Sequence, residues 1–170
     1  MSDTSSINVY STNPKELAQT PLAAGFVDPA QLPWVDIGIG IHFKVVSCCN
    51  KTGRYTLLSK YPPGTQLPSH RHSGQVTAVT LQGKWKYLEH DFIATPGTIA
   101  YETANSNHTL KVLDDSEEMI LLAIVEGSLI TYDDEGNIWA IDDAQTHLLR
   151  YLVLGKEQGF AIDESLIVRS

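Results

Sequence analysis

The stretch Gly64-Thr65-Gln66-Leu67-Pro68-Ser69-His70-Arg71-His72 sets two histidines one residue apart behind a glycine and a proline. Side chains alternate along an extended segment, so His70 and His72 point to one side and Arg71 to the other. Imidazole suits Fe, Zn, Ni or Cu, and two rings so placed reach a single ion at about 2.0–2.2 Å. Gly64 and Pro68 give a stiff, turning approach that sets the pair at the mouth of a β-structure. Two histidines alone are as readily explained by a solvated polar loop, so the reading depends on a third donor and on the fold around it.

The flanking sequence is built of short strands. Upstream, Val35, Ile37, Ile39, Ile41, Phe43 and Val45 alternate with Asp36, Gly38, Gly40, His42 and Lys44. Period two of this kind predicts one half-buried strand over 35–45. Gly53 turns the chain into a strand over 54–61, which Pro62-Pro63-Gly64 ends. Downstream, strands are predicted over 76–81, 84–88, 99–101, 108–113, 119–126, 128–132 and 138–141, separated by glycine and acidic turns. This punctuation implies a sandwich or barrel, an all-β fold. At the end, Ala144, Leu148, Leu149, Leu152 and Val153 recur at helical spacing, with Asp142 or Asp143 to cap and Gly155 to stop the run. Asn13-Pro14 before Lys15-Glu16-Leu17-Ala18 predicts a single helical turn. The expected organisation is an N-terminal arm over 1–33, a barrel over 34–142, and a C-terminal helix and tail over 143–170 packing on the barrel.

Composition narrows the function classes. The chain has 170 residues, 42% hydrophobic and 19% charged, with a formal net charge of −8. No cluster of Lys or Arg is present to neutralise phosphates, which argues against nucleic acid and against an anionic membrane surface. The longest apolar run, 119–125, is too short to cross a bilayer. No basic region followed by an apolar stretch opens the chain, so no secretory signal is expected. Cys48 and Cys49 are adjacent and cannot build a disulfide framework, and a reduced pair suits the cytoplasm.

The third donor is His108, and with it the chain resembles the cupins. Gly64, His70, His72 and Gly83 fall in register with the first cupin motif, and Gly97 and His108 with the second. Thr103 stands where that motif has proline and Val112 where it has asparagine. Asn105 replaces a glycine, and Asn is the other residue that readily takes positive φ. The resemblance implies a cupin-type jelly-roll β-barrel with a short C-terminal helix, one metal ion on His70, His72 and His108, and a homodimer. The segment 35–46 is a candidate for the pairing edge.

One departure from the motif carries information. Val76, or Thr77 if the gap is one longer, occupies the position of the usual glutamate ligand, so the shell becomes three histidines. This resembles the subclass that includes acetylacetone-cleaving dioxygenase and 2,4'-dihydroxyacetophenone dioxygenase, which also carries a glutamate six residues before its third ligand, here Glu102. The resemblance implies Fe(II), with Zn(II) or Ni(II) as alternatives, and C–C cleavage of a small ketone by O2. Three neutral imidazoles leave the ion its full charge, so a bidentate enolate from a β-diketone or hydroxyacetophenone supplies the missing anion. Glu102 is the candidate base, or else orients a ligand imidazole; a solvated strand-end carboxylate is the plain alternative. Tyr101, Trp85, Tyr87 and Phe92 are expected to fill the core, and His42, His90 and His147 to lie outside the metal site.

Two further readings stand beside this one. The chain is also similar to the zinc-binding cupin domain of anti-sigma factors, a non-catalytic sensor. Those carry a helical N-terminal zinc domain, and residues 1–33 here hold no Cys or His. A metal-dependent isomerase or sugar-binding cupin is the third.

Overall fold

The structure, a computed structural model, describes residues 26–169. The helical turn expected at Asn13-Pro14 lies outside them.

Two antiparallel sheets carry the architecture. The larger sheet contains β1 (Val35–Asp36), β2 (His42–Cys49), β3 (Arg54–Tyr61), β5 (Val76–Gln82), β7 (Ile99–Glu102) and β10 (Met119–Val125), in the order β1-β2-β3-β10-β5-β7. The smaller contains β4 (His70–His72), β8 (Asn107–His108), β11 (Leu129–Tyr132) and β12 (Ile138–Asp142), in the order β12-β11-β4-β8. A two-stranded ribbon joins β6 (Trp85–Tyr87) to β9 (Leu110–Val112). With this strand content the all-β expectation holds.

Inward-facing residues of both halves form one core. Phe43, Val45, Tyr55, Val76, Ala78, Met119 and Leu121 from the large sheet meet Trp85, Tyr87, Leu110 and Val112 from the ribbon. Trp85 is fully buried and its indole N–H donates to Thr80 Oγ1 at 2.8 Å, so the largest core side chain leaves no orphan donor.

The strand expected over 35–45 is in fact a hairpin. Ile37 N–H donates to Ile41 O, and Gly38, Ile39 and Gly40 all have positive φ, at 95°, 55° and 78°. Val35 then pairs with Phe43 and Asp36 with His42. Ile39 is thrown outward, 87% exposed, where strict alternation would have buried it. The two glycines permit a left-handed turn that the apolar alternation concealed. Within the segment 35–46, β1 pairs with β2 and stands at the end of the sheet, and just beyond it the C-terminal β13 (Val168–Arg169) runs parallel to β2 at Ser47 and Cys48.

The C-terminal helix, α1 (Ala144–Glu157), begins at Asp143, whose side chain accepts from Thr146 N–H. Its buried face is Ala144, His147, Leu148, Tyr151 and Gly155. Leu149 and Val153, expected on that face, are each 53% exposed. Gly155 does not stop the helix. It lies inside the last turn because a Cβ there would come within 2.4 Å of Ile162 Cδ1 and 3.3 Å of Val35 Cγ2. Among the described residues no helix is long and apolar enough to cross a membrane.

Candidate metal centre

Strand pairing brings the three histidines together. His70 in β4 is the direct partner of His108 in β8, and directly opposed residues project to the same face. His72, two residues along β4, shares that face. Their rings surround one point: the His70 and His108 centroids are 4.7 Å apart at 86°, and those of His70 and His72 are 5.5 Å apart at 90°. All three are buried, and their ligand atoms lie within 4.8 Å of one another. Arg71 faces the other way, donating to Tyr132 Oη and Asn105 Oδ1.

The turn that delivers His108 depends on Asn105. Its φ is 65°, the left-handed conformation for which a glycine would be the default, and its N–H donates to His72 O at 2.8 Å. The second motif is thereby tied to the backbone of the first.

The donors suit a divalent ion. His70 Nδ1 lies 2.9 Å from Pro68 O, so it carries the proton and leaves Nε2 with a free lone pair. Burial lowers the His70 pKa and pushes His72 down to about 4, which keeps both rings neutral near pH 7. His72 Nδ1 is buried without a hydrogen-bond partner, and His108 Nε2 and Glu102 Oε2 have only each other, at 3.1 Å. Orphaned polar atoms converging in one spot are costly unless something binds them. The cluster fits one metal ion.

Glu102 sits at the end of β7 with Oε2 3.1 Å from His108 Nε2 and 3.6 Å from His72 Nε2. Its other oxygen accepts from the Tyr87 hydroxyl. Burial pushes the carboxyl up, but the adjacent His108 ring, the Tyr87 hydroxyl and His72 outweigh it and hold the pKa below the usual carboxylate range. The alternative of a solvated strand-end carboxylate is excluded, since Glu102 is 7% exposed. Val76 and Thr77 bring no carboxylate, and Val76 belongs to the core.

A cavity of about 520 Å³ opens beside His108 and Glu102. Tyr87, Phe92, His90 and Tyr101 contribute to its walls. Trp85 and Tyr87 fill the core as expected. Phe92 and Tyr101 do not, being 41% and 62% exposed. His147 lies outside the cluster, its ring buried 4.8 Å from that of Tyr55. His42 hydrogen-bonds near Gly40 O, away from the cluster. The wall role of His90 and Phe92 had no signal beyond their place in a turn.

Fold and site together define a cupin with a three-histidine cluster that could hold a metal ion. Residues 23–128 match the family model described as the ChrR cupin-like domain, and the chain belongs to that family. An RmlC-like cupin from Ralstonia eutropha is similar over 83% of this chain and 92% of its own, with 32% identity and a TM-score of 0.77. A second cupin-like protein of unknown function from the same organism covers 85% and 91%, with 21% identity and a TM-score of 0.77. An acetylacetone dioxygenase from Acinetobacter johnsonii shares the fold, with 16% identity, 78% and 92% coverage and a TM-score of 0.67. No curated protein sequence matches the chain.

Proposed function

We propose that the chain is a dioxygenase that holds Fe(II) on His70, His72 and His108 and cleaves a C–C bond of a small ketone bound as its enolate. The observation that carries the reading is the donor set, three imidazoles with Val76 at the cupin glutamate position. When bound, the ion supplies a dipositive Lewis acid with open positions for substrate and O2. Such a site selects a ligand that brings its own negative charge and two oxygens, as the enolate of a 1,3-diketone does.

The chain's own residues supply the rest. Glu102, anchored by Tyr87, is placed to take the acidic proton of the carbon beside the carbonyl. Reaction of a 1,3-diketone with O2 breaks one C–C bond and places one oxygen atom in a carboxylic acid and the other in a 1,2-dicarbonyl product. The balance needs no external reductant.

A second reading is a regulatory metal-binding domain, supported by the family's description as a ChrR cupin-like domain. Oxygen uptake by Fe(II)-loaded protein, tested against a panel of β-diketones and hydroxyacetophenones, separates the two. Uptake matched by acid formation supports the dioxygenase. No uptake across the panel, with zinc tightly retained on purification, overturns it in favour of the regulatory reading.

A further inference from the structure

Arg71 stands between two of the three histidines and leaves β4 on the opposite face. Half-buried there, it donates through Nε to Tyr132 Oη at 2.6 Å and through a terminal nitrogen to Asn105 Oδ1 at 2.7 Å. Tyr132 belongs to β11, the neighbour of β4 on one side, and Asn105 to the turn that enters β8, its neighbour on the other. One planar guanidinium thus ties together three segments behind the histidines, a fork that a lysine ammonium does not offer.

The turn held in this way carries both sides of the site. Ser106 N–H donates to Thr103 O at 3.1 Å, closing a four-residue turn with Asn105 at its third position. Glu102 immediately precedes that turn and His108 follows it by two residues. At a φ of 65° glycine would sit without strain, and asparagine is the more costly choice. What asparagine adds is an acceptor aimed at Arg71. The bond from Asn105 N–H to His72 O survives a change to glycine, whereas the side-chain bond to Arg71 does not.

We infer, on the reading that the three histidines hold one metal ion, that Arg71 and Asn105 act as a pair of positioning residues for that ion. Their bond fixes the turn, and the turn sets His108 against His70 and His72 before a metal arrives. Both act through His108 and neither is a ligand.

Titration of the metal-free full chain with Co(II) alone tests the pair, with affinity read by chelator competition and geometry by the visible absorption of the bound ion. Asn105→Gly and Arg71→Met are each expected to weaken Co(II) binding at least about tenfold and to alter its spectrum. Because the two share one bond, the loss in the double variant falls short of the product of the single losses by at least about threefold. Asn105→Gly leaves the left-handed turn unstrained, so its loss reports the missing acceptor and decides the matter even where Arg71→Met fails to fold. A smaller loss in folded Asn105→Gly, or single losses that multiply in the double variant, overturns the pairing and leaves the metal reading standing. An unsubstituted chain that binds no Co(II) overturns both.

Discussion

Val76 and Glu102 are cross-strand partners in β5 and β7. The position where cupins carry a ligand glutamate holds a valine, and the residue directly opposite holds a buried glutamate instead. Opposed residues share a face, so the carboxylate approaches the same histidines from the neighbouring strand. It is held by Tyr87 and lies nearer to His108 and His72 than a solvated group would. The site keeps a negative group but carries it on β7 rather than on the histidine-bearing segment.

Replacing Glu102 with Gln tests that division of labour. The variant is expected to retain its metal and lose about 10²–10⁴-fold in kcat, the range of general-base catalysis. Metal content and oxygen uptake on the same sample decide the matter. Loss of metal with the carboxylate would make Glu102 a ligand.

Tyr87→Phe removes the donor to a buried carboxylate. Leaving a buried charged acceptor short of a partner costs about 1–3 kcal/mol. A lower urea midpoint in the metal-free protein, with unchanged slope, is expected. An unchanged midpoint would mean the hydroxyl contributes nothing.

Gly83 tests the first motif's turn. Its φ is 80°, and an added Cβ would lie 2.7 Å from Met119 Cα, a backbone atom that cannot step aside. Gly83→Ala is therefore expected to destabilise the fold by more than about 2 kcal/mol in denaturant unfolding.

How much of this was legible in sequence follows from range. His70, His72 and His108 could be read because their spacing and the turn residues around them are local, and Asn105 in its left-handed turn agrees with the motif register. The strand at 54–61 was bounded by Gly53 and Pro62-Pro63. The hairpin at Val35 was missed because six alternating apolar residues outweighed Gly38 and Gly40, whose spacing was the turn signal. Gly155 was misread because its reason is tertiary, the approach of Ile162 and Val35. Phe92 and Tyr101 were misplaced for the same cause: which face meets the cavity or the core depends on partners distant in sequence.

His147 gives the fold a pH dependence. Burial pushes its pKa down to about 4, with Asp142 partly opposing, against about 6.5 in the unfolded chain. Between those values the unfolded chain binds a proton the folded one does not, so stability falls as pH drops from 6.5 to 4 and then levels. The loss amounts to up to about 3 kcal/mol. In metal-free protein His147→Phe should make that limb shallower without abolishing it, the remainder coming from His70 and His72, whose pKa values are also lowered, measured by urea unfolding at pH 7, 5.5 and 4.

The account stands on three imidazoles sharing one ion. Metal content of anaerobically Fe(II)-loaded protein, measured after desalting for the unsubstituted chain and for His108→Ala, tests this most directly. One ion per chain, falling to a trace in the variant while the fold persists by circular dichroism, is the predicted result. A full complement of metal in folded His108→Ala would contradict it.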